Sequence, residues 1–355
     1  MNHNTSLSPL PLPLPLRHLA DARPRVMSTA QLGEHGVSAA DAGAHCRPGG
    51  PWQQLLPGVC LLHPGPPTSE ERLHGALLYA GRPPARQAGG VPAQPRADEP
   101  HAAYADAMIT GLAALALHRF ASAPPLLSLD RIDVLVPRTR RLRSVGFARL
   151  VRTSAMPTPQ QVTGVPVAPV PRAIADAVAR LSEAGAVRRL LTEAVRGGHC
   201  EPAAVVRELN LARLLTRPHV VDAVDSLLAE GRAIAEDRLY RMVDEYGLPA
   251  PLWNVDLRLP GGPPLGGVDA YWPDQAVAVE LDTRAPRQGL RQDDDMLWSE
   301  YVRKREHLER LGITVVHITP KKLRDSAEQQ ATVVRTALMA STDREPAAYV
   351  VVLPR

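Results

Sequence analysis

The chain has 355 residues, room for two or three domains with cores of their own, and no run of about twenty apolar residues, which excludes a bilayer-spanning helix. Its 41 Lys+Arg against 37 Asp+Glu give a formal charge of +4, too small an excess to name a partner unless the cations cluster. The three cysteines, Cys46, Cys60 and Cys200, are odd in number and contain no C-x-x-C, which excludes a disulfide framework and fits a reduced cytoplasm. With 36 prolines and 25 glycines, long loop stretches are expected, and with only 2 Phe the core falls to Leu, Val and Ala.

Residues 1–26 alternate Leu and Pro and read as a polyproline-like disordered tail, with Met27 the expected true start. Ser28 can cap a helix through His35, ended by Gly36, and Ser38 can cap a second helix through Cys46. GPWQQLLPGVCLLHPG then reads as two strands around Pro57–Gly58. His45–Cys46 and Cys60-x-x-His63 do not follow zinc spacing and read as small thiols beside surface histidines. Residues 27–66 are thus a helix-turn-helix with a wing. They resemble the winged-helix start of AbiEi-type antitoxins, shared by many actinobacterial proteins, which implies DNA binding. Arg47 is the one cation at the end of the second helix.

An α+β middle follows over 67–160. Thr68 and Glu71 form a capping box for a helix with Leu73, Leu77 and Leu78 on one side. Residues 81–103, rich in Pro, Gly and Arg, read as a flexible insertion; a helix over Tyr104–Phe120 and a strand over Ile132–Val136 come next. Arg138, Arg140, Arg141 and Arg143, flanked by Arg131, Arg149 and Arg152, stand between IDVLV and GFARLV, so an exposed hairpin tip is expected. Without interleaved aromatics such a cluster suits the backbone of double-stranded DNA rather than stacked bases. Residues 161–232 read as a helical connector, and a further helix from about Ile234 to Tyr246 carries Glu236.

Residues 233–341 hold the densest chemistry. A strand over Leu252–Leu259 precedes a hairpin in GGVDAYWPDQAVAVELD, turning at Pro273–Asp274, with Asp269 on its first strand and Glu280 on its second. Alternation puts Ala276, Ala278, Glu280 and Asp282 on one face, against Val277, Val279 and Leu281 on the other. Two neighbouring carboxylates repel by about 4 kcal/mol at the dielectric of a protein surface, so they need a cation, a shared proton or open water. Asp293–Asp295 opens a helix running to Leu311 whose buried stripe is Leu297, Tyr301, Leu308 and Leu311, with Lys304 on that side and able to reach the acids. A strand over Ile313–Thr319, a helix to Ala340 and an edge strand over Ala348–Leu353, in a tail at 342–355, complete the pattern.

Asp269, Glu280-Leu281-Asp282, the helix with Lys304 and Leu308, Gly312 and the following strand resemble the restriction-endonuclease-like PD-(D/E)XK superfamily, above all its very-short-patch-repair-like branch. That resemblance implies Mg²⁺ held by Asp269 and Glu280 with Glu236 assisting, Asp282 standing where the superfamily has Lys, and Asp282 or Lys304 serving in its place. The expectation is an α/β multidomain, cytoplasmic DNA-binding protein, transcriptional-regulator or antitoxin-like, on a degenerate nuclease fold. A Mg²⁺-dependent DNA endonuclease is the alternative, a protein-interaction module the second, and a protein partner of the toxin–antitoxin type a further expectation.

Overall fold

The computed structural model describes residues 25–82, 104–283, 302–341 and 350–355. Residues 1–24 of the Leu/Pro tail, 83–103 of the insertion and Asp293–Asp295 lie outside them. The described residues form a mixed α/β structure with three sheets, and the chain divides into two compact units, Met1–Ala177 and Val178–Arg355. No described helix is long and apolar enough to cross a membrane.

The first unit begins with β1 (Val26–Ser28), α1 (Thr29–Glu34) and α2 (Ala39–His45). The hairpin β2 (Gln53–Leu56) and β3 (Val59–Leu61) completes an antiparallel sheet in the order β1-β3-β2. Ser28 and Gln31 form a capping box, and the Ser38 side chain accepts from the Asp41 amide at 3.1 Å. Met27, Leu32, Val37, Ala42, Trp52 and Cys60 make the core beneath the two helices.

Helix α3 (Ser69–Gly81) starts at a complete capping box: the Thr68 side chain accepts from the Glu71 amide, and Glu71 accepts the Thr68 amide at 2.7 Å. Its other oxygen lies 2.9 Å from His63 Nε2. Burial disfavours the Glu71 charge, but the Thr68 amide and the His63 imidazole outweigh it and hold the carboxyl below its usual range. An acid depressed on folding stabilises above its unfolded pKa of about 4.3 and loses that contribution as pH falls through the folded value. Glu71→Ala is expected to cost about 1–2 kcal/mol near neutrality. Urea titrations of wild type and variant should converge toward acid, and an equal gap at neutral and acid pH would refute the assignment.

The second sheet of this unit has the order β6-β5-β4-β8-β7. Its strands are β4 (Met108–Thr110), β5 (Ile132–Pro137), β6 (Ala148–Thr153), β7 (Gln160–Val162) and β8 (Val165–Val167), with α4 (Gly111–Leu117) after β4 and α5 (Val170–Val178) after β8. The helix expected over Tyr104–Phe120 is therefore partly strand. Gly111, at φ +61, turns the chain between the two, and a Cβ there would stand 2.7 Å from Asp133 Oδ2. The short β7–β8 hairpin likewise falls where the helical connector was expected to begin.

A larger correction concerns the arginine cluster. Strands β5 and β6 are parallel, Ile132 opposite Ala148 through Pro137 opposite Thr153, so residues 138–147 cannot be a hairpin tip and must return the full length of the strand. They do so as a strap beside β6, the edge strand. Ser144 Oγ accepts from the Leu150 amide at 3.0 Å, and Arg152 donates to the carbonyls of Arg140 and Leu142. Arg140 donates onward to the carbonyls of Arg82 and Gly81, and Tyr79 donates to that of Arg143. Apolar alternation reads the same for parallel and antiparallel neighbours, so IDVLV and GFARLV do not reveal the direction in which they pair.

In the second unit, α6 (Ala184–Arg196) and α7 (Pro202–Leu211) precede one long helix, α8 (Pro218–Glu245), where two segments were expected. Gly231 sits within it because Pro202 packs there: an added Cβ would meet Pro202 Cγ at 2.4 Å. The sheet of this unit runs β12-β11-β10-β9-β13, from β9 (Leu252–Arg258), β10 (Pro264–Trp272), β11 (Val277–Leu281), β12 (Thr314–Ile318) and β13 (Val351–Pro354). The first three form an antiparallel meander, and β12 lies parallel to β11 after the helix α9, described over 302–310. Helices α10 (Pro320–Asp325) and α11 (Ala327–Ser341) follow β12. Val277, Val279 and Leu281 pack with Leu239 and Met242 of α8 and Val334 and Leu338 of α11, while Ala276 and Ala278 face Leu308 of α9. The sheet is thus covered on both faces, which leaves polar groups room only at its ends.

Candidate functional site: two buried acids with their own cations

The β10–β11 ladder pairs Trp272 with Val277, Tyr271 with Ala278 and Ala270 with Val279. Beyond it the Asp269 side chain substitutes for the backbone, its Oδ2 accepting the Leu281 amide at 2.6 Å. Its Oδ1 accepts from Arg232 Nη2 at 2.6 Å, and Arg232 Nε lies 2.8 Å from Glu236 Oε1, one turn along α8. Asp269 is therefore buried, 6% exposed, within a Glu236–Arg232–Asp269 relay anchored on a strand amide.

Glu280, 8% exposed, is held separately. Lys304 Nζ from α9 donates to Glu280 Oε1 and, at 2.7 Å, to the Gly267 carbonyl, so one ammonium ties β11 to β10. His317 Nδ1, on the neighbouring β12, lies 3.6 Å from Glu280 Oε2, as the pairing of Glu280 with His317 requires. Lys304 reaches this position across a glycine: Gly266 has φ +109, and a Cβ on it would stand 2.7 Å from Lys304 Cε. Asp282, half-buried, follows the end of β11, its amide donating to the Ile318 carbonyl at 2.9 Å.

Two buried anions are thus matched by two cations, which offsets the repulsion that a lone acid pair would carry. Both Asp269 oxygens, Glu280 Oε1 and Glu236 Oε1 are already engaged by donors. Among the described residues no three of His, Cys, Asp and Glu come together to hold a metal ion. The donor set as folded does not fit Mg²⁺, which asks for converging oxygens with open positions for water.

The arginine candidates separate by burial. Arg138, Arg141 and Arg143 are exposed on the strap, with Arg131 exposed just before β5, and among the described residues they make no ion pair. Arg140, half-buried, fastens the strap to the end of α3. Arg149 is bidentate on Asp133, the residue opposite it across β5 and β6. Arg47 is exposed after α2.

Sequence reasoning missed Arg232, His317 and Gly266. The signal for Arg232 was its spacing four residues before Glu236, obscured because the helix carrying Glu236 was expected to begin only at about Ile234. That for His317 was register, which a parallel pairing hides. The chain matches no protein-family model, and no curated protein is significantly similar to it.

Proposed function

We propose that the protein binds double-stranded DNA without cutting it, as a regulator or antitoxin-like protein whose second unit is a retired nuclease fold. The observation that carries this reading is the charge-compensated acid pair: Asp269 and Glu280 are each neutralised by a side chain of the chain itself, Arg232 and Lys304. Two topologies support it. Strand, helix, helix and hairpin in the order β1-β3-β2 agree with the arrangement expected of a winged helix. Helix α8, the antiparallel meander β9-β10-β11, a crossover helix and a parallel β12 agree with the core expected of a restriction-endonuclease-like domain. The exposed arginines of the strap supply phosphate contacts.

One observation favours the endonuclease reading: Lys304 brings to Glu280 the positive charge that the superfamily takes from the position of Asp282. Supercoiled plasmid and a short duplex, incubated with wild type and with Asp269→Asn/Glu280→Gln in Mg²⁺, Mn²⁺ or EDTA, separate the two. Shifted, uncut DNA in every arm is expected. Nicking that needs both metal and acids would replace this reading with the enzyme, and no shift in any arm would remove DNA binding.

Changing Arg138, Arg141 and Arg143 together to Ala should weaken duplex affinity by at least about tenfold and flatten the logarithmic salt dependence by roughly 3. An unchanged slope, measured by fluorescence anisotropy across a salt series, would place the DNA elsewhere.

A further inference from the structure

Cys46 and Cys60 are far apart in the chain and adjacent in space. Cys46 caps the C-terminus of α2, its amide donating to the Ala42 carbonyl at 3.1 Å, and Cys60 lies in the middle of β3, paired on either side with Met27 and Gln54. Their sulfurs are 3.8 Å apart, in hydrogen-bonding contact, against about 2 Å in a disulfide, so no other side chain stands between them. The two thiols differ in access. Cys60 is 4% exposed within the core, whereas Cys46 is half-buried and lines a cleft of about 690 Å³ with Arg47, Trp52, Gln53 and Pro64.

We propose that Cys46 and Cys60 are a reversible redox pair, oxidised by hydrogen peroxide to an intramolecular disulfide that fastens the end of α2 to β3. The Cys46 thiolate attacks one peroxide oxygen; the O–O bond breaks, Cys46 becomes a sulfenic acid, and hydroxide leaves to take up the thiol proton as water. The Cys60 sulfur then attacks the Cys46 sulfur, forming the S–S bond, and the sulfenic hydroxyl leaves with the Cys60 proton as a second water. In sum two thiols lose two hydrogens and one peroxide becomes two waters; a small dithiol reverses the change by exchange. Access assigns the order, since peroxide meets Cys46 from the cleft while Cys60 waits behind it. Burial, and then the neighbouring Cys46, push the Cys60 thiol up to about 12, which speaks against Cys60 as the peroxide-reactive thiol. Cys200, in the other unit, is also pushed up to about 12 by burial and then by Glu201, and serves as an internal control.

The inference does not depend on whether the protein binds DNA, and its test contains none. Reduced full-length protein is treated with hydrogen peroxide, alkylated with iodoacetamide in denaturant, digested and mapped by mass spectrometry. The expected result is a linked pair of peptides carrying Cys46 and Cys60, released by a reductant, with Cys200 alkylated. In Cys60→Ala the intermediate has no partner, so dimedone should label Cys46; if that variant fails to fold, Cys46→Ser should instead give no link and leave Cys60 alkylated. Recovery of Cys60 alkylated in oxidised wild type, links through Cys200, or links only between molecules would each overturn the proposal.

Discussion

Arg149→Met is expected to destabilise the first unit by about 3 kcal/mol, because it strips a buried carboxylate of its bidentate partner. Asp133 is 5% exposed, in the middle of the sheet, with both oxygens taken by the Arg149 guanidinium. It cannot turn to water without leaving the strand, and on its other side stands Thr110 of β4, with Gly111 pressed against it. The pairing with Asp133 raises the Arg149 pKa above its ordinary value, as a close anion should. Urea unfolding followed by circular dichroism measures the loss. Arg149→Met/Asp133→Leu should recover most of it, because the removal of both charges leaves none unpaired. A single variant within about 0.5 kcal/mol of wild type would mean that water already screens the pair.

Lys304→Met carries the second large effect, about 2–3 kcal/mol, in the other unit. Among the described residues Glu280 would keep the neighbouring His317 alone, and the tie from β11 to the Gly267 carbonyl would be lost. The figure is set below that for Arg149 because His317 stays beside Glu280 when the lysine is lost, and the Glu280 side chain is itself a little more exposed than that of Asp133, 10% against 6%. Glu280→Gln placed on top of Lys304→Met should restore stability. Gly266→Ala should act in the same direction, since the added Cβ meets the lysine stem and the backbone there is left-handed. If the second unit is a binding platform, none of these changes should alter duplex affinity beyond the loss of folded protein. Tryptophan fluorescence, with Trp272 buried beside the site and donating to the Pro249 carbonyl at 2.7 Å, gives the readout.

What could be read from the sequence followed the range of the signal. The hairpin carrying Asp269 and Glu280 was legible because β-rich runs and the Pro273–Asp274 turn are local, and the caps at Ser28, Ser38 and Thr68 were legible for the same reason. The side of α9 that Lys304 faces followed from helical spacing alone. The parallel pairing of β5 with β6 was not legible, since it joins strands by a backbone register that no residue type announces. Nor was β4, three residues whose strand character rests on two neighbours and on Gly111 turning away from helix. The relay through Arg232 needed α8 to be seen as one helix, and that depended on Pro202 filling the space over Gly231.

The strap over residues 138–147 has a consequence for any study of this protein at high ionic strength. Its guanidinium anchors, Arg140 and Arg152, end on neutral carbonyl oxygens. Mobile ions compete strongly for contacts between two full charges and weakly for those with a dipole. If a polyanion binds Arg138, Arg141 and Arg143 as proposed, concentrated salt should detach it while the segment that displays them keeps its shape, so the loss of a complex would report on the complex and not on a collapsing loop.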